Sequence, residues 1–418
     1  MRQSGCLGQW ASVAVTSALV ACGGSPLSDA PAPDERSDPP TRVPLGQNRP
    51  ECVGDCADVE LINANKRLDN GAESSRAGAD RVVPSQGSEG SEGPALDPSV
   101  EGPYSAGVRT VELHDPARDR TFLVDVWYPI AKGSNEGSDN EYRLSGLLEG
   151  TVSLESPARR DAPIVDGGPW PVVVFSHGFG GIRFQSWFLT EHLATHGFVV
   201  ASPDHPGNRL TDFARLGSEE AQAQSAVDRP LDMIYVRDQL LPGGAIERET
   251  GFRIDPDRVA ASGHSFGGWT CLEVARRDPG FKAVLPLAPG FRHGVTPDMV
   301  SIIGRPIGFF GGSEDHTTDF VENQAPAYES AARPKALVRV NGAGHLDFSN
   351  LCDIRIARLF VNDGCDPDLI DPARVHGVVK TVGTAFLRRH LLGEMSAEPY
   401  LVDTFVRAQG PLDYWRED

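Results

Sequence analysis

From about residue 171 onward the chain repeats one pattern: a short, continuous apolar run ends in a turn and is followed by a stretch with helical spacing. "PVVVFSHG" (171–178) precedes "SWFLTEHLATHG" (186–197), and "FVVASPD" (198–204) precedes "RPLDMIYVRDQLL" (229–241). "DRVAASGHS" (257–265) leads straight into "FGGWTCLEVARRD" (266–278). Runs of this kind lack the alternation of a half-wet strand and read as strands buried on both faces. "FKAVLPLAP" (281–289), "RPIGFFGG" (305–312) and "KALVRVNG" (335–342) add three more, the last two separated by a helical "DFVENQAPAYESAA". An amphipathic "HGVVKTVGTAFLRRHLLGE" (376–394) closes the series. Ahead of them "RTVELHD" (109–115) and "RTFLVDVWYP" (120–129) do alternate, around "PARD", and read as an antiparallel hairpin. Strands alternating with helices require a mostly parallel α/β sheet with right-handed crossovers and helices on both faces. The polar, Gly-rich segment 131–170 reads as a long connection, a candidate rim or lid.

Ligands of such sheets bind at the carboxyl ends of the strands, and the reactive side chains fall there. Ser265, in "GHSFGG", stands where an apolar strand ends and a helix begins, with Gly263, Gly267 and Gly268 around it. Glycine at those places permits a sharp strand-to-helix turn that presents the hydroxyl above the sheet and the helix N-terminus beneath a developing oxyanion. A serine hydroxyl is a poor nucleophile at neutral pH, so it needs a base and a carboxylate to orient that base. "GAGHLDF" places His345 after the strand "KALVRV", and "GGSEDHTT" places Asp315 after "RPIGFF". Glu314 and Asp319 compete for the orienting role; the Gly-x-x-Asp spacing favours Asp315. The oxyanion needs two backbone N–H donors. Phe266 supplies one by following the nucleophile, and Phe179, in "HGFGG", is the candidate for the other. A histidine base must be neutral, so activity is expected to rise through about pH 6 to 7.

Other residues have more than one reading. His177 fits a structural hydrogen-bonding role behind the oxyanion loop. His205 fits either a pocket wall or a solvated surface. Phe184, Trp187 and Trp269 fit either an acyl pocket or the core. Cys271 reads as buried and inert. Cys352 and Cys365 bracket "DIRIARLFVNDG" just past His345, and a disulfide between them is expected to stiffen the base loop.

The N-terminal part is of a different kind. Residues 1–21 carry one arginine and then a short apolar stretch, too short for a membrane span, and read as a secretory signal. The ending Leu19-Val20-Ala21-Cys22-Gly23 resembles a bacterial lipobox, which implies cleavage before Cys22 and diacylglycerol on its sulfur; the alternative is an ordinary signal peptide cut elsewhere. Residues 22–102 are rich in Pro, Gly, Ser and acidic residues without an apolar period and read as a disordered tether. Within it Cys52 and Cys56 read as a local disulfide ahead of a pair of metal ligands, since export leads to an oxidising compartment. The formal net charge of −19 argues against nucleic acid as a partner. The expected organisation is a signal, a lipid-anchored tether facing the periplasm or the exterior, and a catalytic domain over 103–418.

Together "SHGFGG", "FLTEHLATHGFVVASPDHPG", "GHSFGG", "GGSEDHTT" and "GAGHLDF" resemble the α/β-hydrolase superfamily, specifically its platelet-activating-factor acetylhydrolase and dienelactone-hydrolase-like esterases. The resemblance covers roughly 103–394 and implies an eight-stranded sheet, an ester or thioester substrate, no cofactor or metal, and the roles just assigned. Dienelactone hydrolases use a cysteine nucleophile, and serine at 265 favours ordinary carboxylic esters: short-chain acyl, phospholipid-type or polyester. A peptidase or amidase of the same fold and a non-catalytic surface-binding lipoprotein are the alternatives. Oligomeric state is not legible.

Overall fold

The computed structural model describes residues 97–143, 153–212, 216–291, 296–354 and 363–418. The expected signal and most of the expected tether, with Cys22, Cys52 and Cys56, lie outside the described residues. Folded structure begins ahead of residue 103: His192 Nε2 and His196 Nε2 donate to the carbonyls of Pro98 and Val100, at 3.1 and 2.9 Å.

The strands are β1 (Ser105–Asp115), β2 (Arg120–Ile130), β3 (Ser138–Arg143), β4 (Ser153–Arg160), β5 (Trp170–Ser176), β6 (Val199–Pro203), β7 (Ile254–His264), β8 (Ala283–Leu287), β9 (Ile307–Gly312), β10 (Lys335–Val340) and β11 (Leu412–Glu417). The helices are α1 (Trp187–Thr195), α2 (Glu219–Leu240), α3 (Ala245–Thr250), α4 (Phe266–Arg277), α5 (Gln324–Ser330), α6 (Pro372–Leu391) and α7 (Asp403–Arg407). The strands form one sheet in the order β11-β10-β9-β8-β7-β5-β6-β2-β1-β4-β3, parallel from β6 through β10.

Eight of the strands are the six apolar runs and the hairpin expected from the sequence, but the sheet has eleven, not eight. The additions sit at the edges. β3 ("SDNEYR") and β4 ("SLESPARR") form a polar hairpin that joins β1 through Gly107 and Val108. So the described parts of 131–170 extend the sheet at its far edge instead of covering the strand ends. β11 pairs antiparallel with β10 at the other edge, turning Leu412 and Tyr414 inward.

Period-two alternation splits the inner strands between two cores. Val173, Phe175, Val200 and Ala260 pack with Leu189 and Leu193 of α1 and Val378, Val382 and Phe386 of α6. Val172, Val174, Val199 and Val259 pack on the opposite face with Met233 and Val236 of α2 and Leu272 and Val274 of α4. Both faces are apolar, which is why these runs do not alternate in the sequence. Each fully buried aliphatic side chain contributes about 1.5–3 kcal/mol relative to exposure. The α2 helix starts ten residues earlier than the apolar pattern suggests, at Glu219, capped by Ser218 Oγ on the Ala221 amide. Among the described residues no helix is long and apolar enough to cross a membrane.

Chain order reverses at β5. The chain passes from β5 to β6 on one side and returns to β7 on the other, so the loops after β5 and β7 leave the sheet edge in opposite senses and open a crevice between them.

Candidate active site

The turn after β7 occupies that crevice. β7 ends at His264 and α4 begins at Phe266, leaving Ser265 alone to reverse the chain at φ 59°, ψ −121°. A non-glycine residue at positive φ is strained by about 1–2 kcal/mol, and the turn persists because its surroundings dictate it. The flanking glycines are required by close approach. A Cβ at Gly263 would lie 2.4 Å from the Gly267 carbonyl oxygen, and one at Gly267 would lie 1.9 Å from that of Ser176.

Ser265 Oγ lies 2.8 Å from His345 Nε2, and His345 Nδ1 lies 2.9 Å from Asp315 Oδ2. All three are buried. Of the candidate acids, only Asp315 reaches the imidazole: Glu314 accepts from Ser313 Oγ, and Asp319 caps the turn amides of Val321 and Glu322. Burial acts to raise the Asp315 pKa, but the adjacent His345, the hydrogen bond to it and the bonds from Thr318 outweigh burial and hold the carboxyl below its ordinary value. The Thr318 amide donates to Oδ1 at 2.7 Å, and its hydroxyl donates to Oδ2 at 2.8 Å.

His345 is held from behind by a chain of bonds with one consistent direction. The Gly178 amide donates to Gln185 Oε1 at 3.0 Å, Gln185 Nε2 donates to His264 Nδ1 at 2.8 Å, and His264 Nε2 donates to the His345 carbonyl at 2.9 Å. Burial, with the neighbouring His345, pulls the His264 pKa down to about 3, so the ring stays neutral and keeps the tautomer this relay needs. Asp363 ties the acid loop to the base loop. Its Oδ2 accepts from the amides of His316 and Thr317 and from Thr317 Oγ1, and its carbonyl accepts from the Leu346 amide. Cys352 and Cys365 are joined by a disulfide two residues beyond it.

Of the two residues expected to donate to an oxyanion, Phe266 is the first residue of α4 and Phe179 follows β5 by three. The Gly178 carbonyl accepts from His177 Nδ1 at 2.7 Å and from the Gly181 amide at 3.1 Å. A trans peptide sets N–H opposite C=O, so these bonds turn the Phe179 N–H away from the buried side, toward the cleft. That cleft, about 230 Å³, is lined by Gly178, Phe179, Ser265, Phe266, Thr318 and Leu351 among others. Phe179 itself is 41 % exposed.

Several readings of the sequence are settled or corrected. His177 sits behind the loop that follows β5, its Nε2 accepting from the His205 amide at 3.1 Å. His205 is neither a pocket wall nor a surface residue; it is buried between Ser176 Oγ and Asp232 Oδ2, each at 2.9 Å. Phe184 and Trp269 belong to the core, Trp187 packs against it, and Cys271 is buried with its thiol pKa pushed up by burial. Gln185, Asn208, Arg229, Thr318 and Asp363 were not singled out by sequence. Asp347, Cys352 and Cys365 cluster as metal donors do, but both sulfurs are in the disulfide and the Asp347 carboxylate accepts from the Gly344 and Cys365 amides, so the group does not fit a metal.

Residues 162–363 match a family model described as PET hydrolase-like. Platelet-activating factor acetylhydrolase of Cavia porcellus is 25 % identical over 347 residues, 70 % of this chain and 78 % of the relative. Cutinase est2 of Thermobifida alba is 28 % identical over 228 residues, 52 % of this chain and 69 % of the relative. A ferulic acid esterase from Streptomyces cinnamoneus shares the fold, with a TM-score of 0.57 at 24 % identity over 75 % of this chain and 97 % of that one.

Proposed function

We propose that this chain, an α/β hydrolase and a carboxylic ester hydrolase, cleaves its esters through an acyl-enzyme on Ser265. The observation that carries the reading is the continuous chain Ser265 Oγ–His345–Asp315, with both bonds under 3 Å, on a strained turn facing a cleft. His345 Nε2 takes the hydroxyl proton as Oγ attacks the acyl carbonyl, and Asp315 holds the imidazole in the tautomer that accepts it. The amides of Phe179 and Phe266 carry the oxyanion. His345 returns the proton to the leaving alcohol, then activates water, which releases the acid and restores Ser265.

The cleft of about 230 Å³ is smaller than sites for drug-sized ligands, about 300–1,000 Å³, which favours a short acyl group. The cutinase and acetylhydrolase relatives favour polyester or phospholipid-type esters with such groups. We further propose export and lipid anchoring at Cys22, on the lipobox-like "LVACG". The test is hydrolysis of p-nitrophenyl esters from acetate to palmitate by the full chain and by Ser265→Ala, with fluorophosphonate labelling of both. Hydrolysis and labelling that disappear together in the alanine variant support the reading; an alanine variant that still turns over acetate rejects it.

A further inference from the structure

Directly behind the oxyanion loop lies a charged side chain that the mechanism above does not use. Arg229 of α2 is 0 % exposed. Its Nη2 donates to the His177 carbonyl and, at 3.0 Å, to Ser176 Oγ. Its Nη1 donates to Asn208 Oδ1 at 2.6 Å and reaches the Gly178 carbonyl at 3.5 Å, while Nε has no partner. The guanidinium carbon sits 4.4 Å from the centre of the Phe266 ring.

Every acceptor on this guanidinium is neutral. Among the described residues it has no ion pair: Asp232, one turn further along α2, is engaged by Arg118, Arg120 and His205. Burial lowers its pKa to about 9, with Asp232 opposing and Arg120 assisting, so it remains charged at neutral pH. A buried cation without an ion-pair partner is costly. Its placement is informative. It bonds the carbonyl of each of the two residues before Phe179, the second of which belongs to the peptide that carries the Phe179 N–H, and it lies on the ring of Phe266. A charge in a low-dielectric interior acts over such distances far more strongly than in water, and it polarises the peptides it bonds.

We propose that Arg229 is a positioning residue for the oxyanion: it fixes the peptide that carries the Phe179 N–H, braces the Phe266 side chain and supplies, from behind them, a positive charge that no carboxylate among the described residues contacts. The inference rests on the Ser265 mechanism proposed above. Asn208→Asp tests it with little change of shape, placing a carboxylate on Nη1 where an amide oxygen now sits. In the full chain the variant is expected to lose about tenfold in kcat toward p-nitrophenyl acetate with KM within about twofold, at an unchanged or raised melting temperature. Affinity for a trifluoromethyl ketone, which mimics the tetrahedral adduct, should fall by the same factor as kcat/KM. A folded Asn208→Asp with wild-type kcat and ketone affinity overturns the proposal. Should that variant not fold, Arg229→Lys and Arg229→Met decide: the lysine variant must retain several-fold more kcat than the methionine variant, and equal values overturn the proposal. The wild-type and Ser265→Ala pair, assayed alongside, reports separately on the underlying mechanism.

Discussion

Glu191 offers a quantitative test of the packing that supports the site. It lies on α1, and its Oε1 accepts from the Tyr142 hydroxyl at 2.6 Å, which in turn accepts from Trp127 Nε1 at 2.7 Å. Burial raises its pKa from 4.5 to about 7, with the Tyr142 and Ser156 bonds opposing. A tenfold change in proton affinity is worth about 1.4 kcal/mol, so ionising this side chain in the native state costs about 3 kcal/mol more than in the unfolded chain. Between pH 4.5 and 7 the native state binds the extra proton. The stability is therefore fully present below the unfolded value and is lost as pH rises through the folded one. Glu191→Gln keeps an acceptor for Tyr142 and removes the titration. Urea unfolding of both full chains at intervals from about pH 4.5 to 8 should show the glutamine variant gaining on the wild type by about 3 kcal/mol across that range. Parallel stability curves would refute the reasoning, because they require Glu191 to titrate alike in both states.

Two further outcomes are expected. Burial is the leading cause that depresses His192 and His264 to about 3 and His376 and His390 to about 4, so the stability their neutrality contributes is present above about pH 6.5 and lost as pH falls through those values; wild-type urea midpoints should drop steadily from pH 6.5 to 4, and a flat profile there would contradict it. Asp363→Asn retains the shape but weakens a carboxylate that accepts three donors from the acid loop, and hydrogen bonds to charged groups are worth about 1.5–3 kcal/mol. We expect lower kcat with little change in KM and a lower melting temperature; wild-type values for both would mean that the two loops are held without it.

The inner strands were legible because a strand buried on both faces must be apolar throughout, and nothing else in the chain needs six such runs. β3 and β4 were not, because an edge hairpin with exposed faces has no apolar period to betray it: "SDNEYR" and "SLESPARR" owe their pairing to the neighbouring β1. The start of α2 was hidden for the same reason. "EEAQAQSAVD" buries only Ser225 before Arg229, so its helical spacing leaves no apolar stripe.

The site divides along a similar line. Ser265, Asp315 and His345 could be placed because each must stand at a strand's carboxyl end, and the glycines around Ser265 could be explained because backbones less than a side chain apart admit no Cβ. Such demands are local and leave a spacing in the sequence. Gln185, Arg229 and Asn208 leave none, because each acts through partners far along the chain: Gln185 bonds His264 across 79 residues, and Arg229 reaches the His177 carbonyl across 52. His205 was open to a surface reading for the same reason, since the residues that enclose it, Ser176 and Asp232, come from other elements. What spacing conveys is therefore where the reacting atoms stand. What sets the field around them is assembled from residues that become neighbours only after the sheet has formed, such as Arg229 and Asn208, and a spacing in the sequence cannot announce it.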